Sequence, residues 1–311
     1  MVFAITSATW AGIGARVKLR SRQSSSMASV SYTHLESKRR QKLEVDLRKA
    51  VARQEFVLHY QPLVSADTGR ITGMEALLRW NHPEDGLIFP NQFIPLLEDL
   101  GLMTEVGHWA LMTACRQNFV WQLEGLDPVR VAVNVSAQQV HRGDIVKSVA
   151  EALDQTGLDP CWLELEITES LTLDDTENTI RIMHDLKRLG VSLSLDDFGT
   201  GWSSLAYLRR FPLDRLKIDR SFMRDVLSQP AAEAVVRGIL SLARNLGISC
   251  VGEGVETHPQ LEYLQRQLCA EKMCIRDRPA VVPSFRHFVQ DPFAAESKRS
   301  RGVYSFQHRD K

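Results

Sequence analysis

Seven polar residues of this 311-residue chain fall at or near the ends of predicted strands: Glu75, Asn134, Glu166, Asp196, Asp197, Lys217 and Glu253. They are five acids, one amide and one ammonium. In a parallel α/β barrel the strand C-termini share one rim, so such residues converge there. Converging carboxylates repel one another unless they are protonated or bridged by cations. Sites rich in carboxylate and amide oxygen suit hard divalent cations such as Mg²⁺ or Mn²⁺. A pair of such ions activates water and stabilises both oxygens of a phosphoryl displacement. Any one strand-end acid is ordinarily a helix cap or a loop contact. Seven polar strand ends together make that reading weak.

The elements that must position them follow a β-then-α rhythm. Strands are predicted over 56–64, 70–80, 130–135, 162–168, 191–197, 213–219 and 248–253, which makes seven. Helices are predicted over 91–100, 104–123, 137–155, 175–189, 203–210, 231–246 and 260–267. This rhythm runs for about 220 residues and points to an α/β fold with a mostly parallel sheet. The candidate architecture is a TIM-like (β/α)8 barrel, with a doubly wound open sheet as the alternative. Alternation supports inward polar faces. Leu163, Leu165 and Ile167 oppose Glu164, Glu166 and Thr168, and Val191, Leu193 and Leu195 oppose Ser192, Ser194 and Asp196.

The formal net charge is zero, but it is a sum of unlike parts. Residues 1–40 carry seven basic residues and one acidic, and residues 271–311 carry nine and five. The middle keeps 22 basic and 32 acidic residues, a net charge of −10. That excludes a basic surface for a DNA or RNA polymer. The five cysteines form no C-x-x-C pair, which speaks against a zinc site or a disulfide framework. No run of 18 apolar residues exists, so no membrane segment is expected, and the expected location is cytoplasmic.

The segment Met74-Glu75-Ala76-Leu77-Leu78-Arg79-Trp80 carries the E-A-L signature. With it, in order, stand Tyr60-Gln61-Pro62, Asn134-Val135-Ser136, Glu166-Ile167-Thr168-Glu169 and Asp196-Asp197-Phe198-Gly199-Thr200-Gly201. Leu216-Lys217-Ile218-Asp219 and Glu253-Gly254-Val255-Glu256 follow. This ordered set resembles the EAL-domain cyclic-di-GMP phosphodiesterases over about residues 41–270. The resemblance implies a TIM-like barrel that hydrolyses cyclic di-GMP to linear pGpG in bacterial second-messenger signalling. It implies that Glu75, Asn134, Glu166 and Asp196 hold one metal ion, and that Asp196, Asp197 and Glu253 serve a second ion and its water. Glu253 matches the family's general base, and Lys217 the residue that orients the attacking water. Gln61 and Arg79 match ligand-holding residues. Gly199, Thr200 and Gly201 lie in a matched loop for which Glu256 is expected to be the anchor. A neutral Asn134 limits the total negative charge.

The resemblance ends near Cys269. The family continues with a Gln-Gly-Tyr strand and a final helix, and this chain reads Ala270-Glu271-Lys272-Met273-Cys274-Ile275 instead. The eighth βα unit is therefore expected to be missing or disrupted, leaving unpaired edges, a destabilised chain and reduced activity. Residues 1–40 read as a linker-like extension and 271–311 as an atypical tail, disordered or foreign to the domain. Val30–Leu35 and Lys272–Arg278 resemble translated sequencing-adaptor remnants. A homodimer and a lost upstream sensory or diguanylate-cyclase-like domain are the expected partners besides the dinucleotide. A cyclic-di-GMP-binding module that does not cleave, and an inactive fragment, are the competing functions.

Overall fold

A computed structural model describes residues 38–169, 176–200, 208–267, 269 and 271–273. The predicted extension before residue 38, the tail after 273, Gly201 and most of the predicted 203–210 helix lie outside the described residues. The chain divides into a unit ending at Asp46 and a second beginning at Leu47. Everything below concerns the second.

Nine strands form one sheet: β1 (Phe56–Ser65), β2 (Ile71–His82), β3 (Gly86–Ile88), β4 (Arg130–Val135), β5 (Leu163–Thr168), β6 (Ser192–Phe198), β7 (Arg215–Ile218), β8 (Ser249–Gly252) and β9 (Glu271–Met273). Their order is β1-β9-β8-β7-β6-β5-β4-β2-β3, and β1 also pairs with β2. The sheet therefore closes on itself through eight strands, with β3 as a hairpin flap outside the ring. Strands β2 and β4 to β9 run parallel, and β1 is antiparallel to both of its neighbours.

The expected gap at the eighth position is not open. Three backbone positions fill it. Glu271 and Lys272 pair with Val251 and Gly252 of β8, and Leu63, Val64 and Ser65 of β1 pair with Met273, Lys272 and Glu271. The pattern that predicts an absence depends on side-chain identity. Closure of a barrel needs only backbone donors and acceptors in register. What stands there is the three-residue strand β9.

The outward strand faces make the core. Leu163, Leu165, Ile167, Leu193 and Leu195 are at most 1% exposed and pack in one cluster with helix residues such as Val149, Met183 and Leu240. Each such side chain contributes about 1.5–3 kcal/mol on burial. The predicted helix over 137–155 is two: Ala137–His141, closed by a Ser136–Gln139 capping box, and Ile145–Thr156, capped by Asp144. A Cβ on Gly143 would lie 2.8 Å from the Gln139 carbonyl oxygen, so the chain turns there. The hairpin strand β3 and the short helix Arg220–Asp225 are additions to the predicted elements.

Candidate active site

Lys217 is the centre of the barrel mouth. It stands on β7, 1% exposed, and its Nζ meets carboxylates from four other parts of the ring. Glu166 Oε2 lies at 2.8 Å, Glu253 Oε1 at 2.9 Å, Asp196 Oδ1 at 3.2 Å and Glu75 Oε2 at 3.4 Å. Glu75 is on β2, Glu166 on β5 and Asp196 on β6. Glu253 follows β8 directly, and its N–H donates to the Ile218 carbonyl at 3.1 Å, which holds it beside the end of β7. Asn134 of β4 donates from Nδ2 to Glu75 Oε1 at 2.9 Å.

Local backbone geometry adds Asp197. Successive residues in a strand point to opposite faces. Pairing between β6 and β7 is irregular from Leu195 to Phe198, and Asp197 has φ 55°, a left-handed conformation rare outside glycine. The bulge brings both aspartates to one place. Oxygens of Asp196, Asp197 and Glu253 lie within 4.8 Å of one another.

The charges are unbalanced. Five carboxylates surround one ammonium. Burial raises the Glu166 carboxyl well above the usual range, and the Glu75 carboxylate adds to the rise while Lys217 opposes it. Burial pushes Glu253 up to about 7 against the opposing pull of Lys217. Asp197 is pushed up to about 6 by burial and then by the neighbouring Asp196 and Asp219 carboxylates. Burial alone would lower the Lys217 ammonium, but the surrounding carboxylates outweigh it and hold it well above its ordinary value. Glu166 Oε1 is buried with no hydrogen-bond partner among the described residues. Oxygens left over after the lysine is satisfied, and the excess of acidic groups over it, fit a divalent cation.

The remaining predicted residues are placed as follows. Gln61 of β1 pairs across the ladder with Glu75. Arg79 lies four residues beyond Glu75 on the same face of β2, with its guanidinium 5.2 Å from the centre of the Phe89 ring. Gly199 has φ 100°, and a Cβ there would lie 2.9 Å from the Phe222 ring, so the turn requires glycine. Thr200 closes that turn by donating from Oγ1 to the Asp197 carbonyl at 2.9 Å.

Glu256 is the expected loop anchor. Its side chain is exposed, and it lines a cavity of about 600 Å³ with Asp219, Arg220 and Arg224. Among the described residues the carboxylate that holds the loop is Glu169, 3% exposed, whose Oε2 accepts the Gly199 N–H at 3.0 Å. Glu169 ends the Glu166-Ile167-Thr168-Glu169 run, and a buried acid three residues after a buried acid is the signal that finds it. Asp219 is a second addition. It caps helix Arg220–Asp225 by accepting the Ser221 N–H, and its carboxylate adds to the rise of the Asp197 carboxyl.

The family model for the EAL domain matches residues 44–271. The chain belongs to the EAL domain family. It is 46% identical over 224 residues to the bifunctional diguanylate cyclase/cyclic di-GMP phosphodiesterase MucR of Pseudomonas aeruginosa, covering 72% of this chain and 33% of that protein. It is 44% identical over 227 residues to the cyclic di-GMP phosphodiesterase NbdA of the same species, covering 73% and 29%. A solved structure of the P. aeruginosa MucR phosphodiesterase in complex with c-di-GMP superposes with a TM-score of 0.73 at 45% identity, covering 75% of this chain and 94% of that one. The chain spans about a third of the length of these curated relatives. No helix among the described residues is long and apolar enough to cross a membrane.

Proposed function

We propose that this chain hydrolyses cyclic di-GMP to linear pGpG with Mg²⁺ or Mn²⁺ bound. The observation that carries the reading is the Lys217 cluster, in which one buried ammonium is met by four carboxylates from separate parts of the barrel. The named activities of MucR and NbdA and the ligand of the MucR structure support the substrate.

In this reading Glu75, Asn134, Glu166 and Asp196 hold one ion, and Asp196, Asp197 and Glu253 hold the other. The ions lower the pKa of water and neutralise charge on the phosphoryl oxygens. Glu253, beside Asp196 and Asp197 at the barrel mouth, is placed to accept the proton of the attacking water. The water oxygen bonds to phosphorus, the bond from phosphorus to the 3′ oxygen breaks, and that oxygen takes a proton from solvent and leaves as a hydroxyl. Lys217 holds Glu253 in place and offsets negative charge that develops on the phosphate. Gln61 and Arg79 orient the dinucleotide, the latter through a forked cation that suits phosphate.

Incubation with cyclic di-GMP and Mn²⁺ or Mg²⁺, beside a Glu75→Ala control, tests this. Linear product from the parent chain alone supports the proposal. Binding without product in either metal refutes it.

A further inference from the structure

Beneath the acid cluster lies a second buried charge pair. Arg215 Nη1 donates to Glu164 Oε2 at 2.8 Å, and their side chains are 6% and 1% exposed. Each partner sits two residues before a member of the pair above it. Glu164 precedes Glu166 on β5, and Arg215 precedes Lys217 on β7. A two-residue step returns to the same face of a strand and advances about 6.6 Å. Strand β6 lies between β5 and β7, so both pairs close over β6, one above the other. Ser194 of β6 pairs in register with Glu166, and its buried Oγ has no partner among the described residues; nor has Glu164 Oε1.

This stacking sets up a competition. Glu164 is an anion in the barrel interior. Its other cation is Arg130, at 3.8 Å and with 39% of its side chain exposed, which is longer and better screened. If Arg215 were neutral, the next ammonium up the same strand would be Lys217. Lysine is a point charge on a flexible four-carbon stem, free to swing between carboxylates one strand step apart. With a divalent cation bound, Asp196 and Glu253 would keep a counter-charge of their own, whereas Glu164 would have none at hydrogen-bond distance, so the orphaned anion below would be the stronger pull. Lys217 would then leave Glu253 and Asp196 for Glu164.

We infer that Arg215 and Glu164 are positioning residues: by satisfying each other in the barrel floor, they reserve Lys217 for Glu166, Glu253 and Asp196. The consequence for turnover rests on the proposed phosphodiesterase activity. The placement of Lys217 does not.

Crystal structures and steady-state kinetics of Arg215→Met, Arg215→Gln and the double variant Arg215→Met/Glu164→Gln test the inference. The polar Arg215→Gln serves if Arg215→Met fails to fold. In the single variants Lys217 Nζ is expected within hydrogen-bond reach of Glu164 and out of reach of Glu253. kcat is expected to fall about tenfold at unchanged KM, short of the ~10²–10³ lost on deleting a charge-stabilising donor outright. The double variant, which has no orphaned anion, is expected to restore both. Lys217 still on Glu253 in the single variants overturns the inference, as does a double variant no better than the singles. If the parent chain shows no turnover, the phosphodiesterase reading fails, and the position of Lys217 in the variants still decides this inference.

Discussion

The Gly199 N–H donates to Glu169 Oε2 at 3.0 Å, tying the turn after β6 to the end of β5 across thirty positions of sequence. The same turn begins at Asp197, whose left-handed backbone brings its carboxylate beside Asp196. A hydrogen bond to a loop amide thus bears on the placement of a proposed metal ligand. A charged acceptor makes this bond stronger than a neutral one.

Glu169→Ala is expected to weaken Mn²⁺ binding and to lower turnover by tenfold or more, while stability drops by only about 1–3 kcal/mol. Titration calorimetry with Mn²⁺ and urea denaturation check the two halves. Unchanged metal affinity would show that the turn holds Asp197 without Glu169.

Lys217→Met removes the cation shared by Glu75, Glu166, Asp196 and Glu253. The metal-free chain is expected to lose about 3–5 kcal/mol, because buried carboxylates are left without their partner. Turnover is expected to fall by about 10²–10³. Added Mn²⁺ recovers much of the stability and little of the turnover. Denaturation midpoints with and without metal, set beside kcat, separate these effects.

Metal-free stability carries a pH signature. Glu166, Glu253 and Asp197 all have carboxyls raised above their unfolded values. Such groups bind more protons in the folded state, so stability declines as pH rises from about 4 through about 7. Excess EDTA should therefore give a thermal midpoint that falls between pH 5 and 8. Saturating Mg²⁺ or Mn²⁺ should flatten it. Differential scanning calorimetry across that window reads both.

Barrel closure at β9 is also open to test. Lys272 pairs through its backbone with Val64 on one side and Gly252 on the other. Lys272→Pro deletes a ladder donor from a strand flanked on both sides. A drop of about 1–3 kcal/mol in urea stability is expected, the cost of leaving the ladder acceptor unsatisfied. An unchanged midpoint would mean that the three-residue strand adds nothing to the ring.

The inward carboxylates are legible in the sequence because a strand has a period of two. Glu164 and Glu166 alternate with Leu163, Leu165 and Ile167, and the structure buries the two sets on opposite faces. The irregular parts are less legible. The bulge at Asp197 is set by pairing with β7, which local pattern does not contain. The break at Gly143 depends on the approach of the Gln139 carbonyl. Strand β9 is invisible because its three residues carry none of the Gln-Gly-Tyr pattern, while its place in the ring is set by register with β1 and β8. The bond from the Gly199 N–H to Glu169 is not legible in the motif, which records identity but not burial.

The most direct test is product analysis in H₂¹⁸O, with cyclic di-GMP as substrate and Mn²⁺ present. The account predicts linear pGpG bearing one ¹⁸O on its 5′ phosphate, formed by the parent chain and lost in Glu253→Gln or with EDTA. Cyclic di-GMP recovered intact from a chain that binds it would contradict the account.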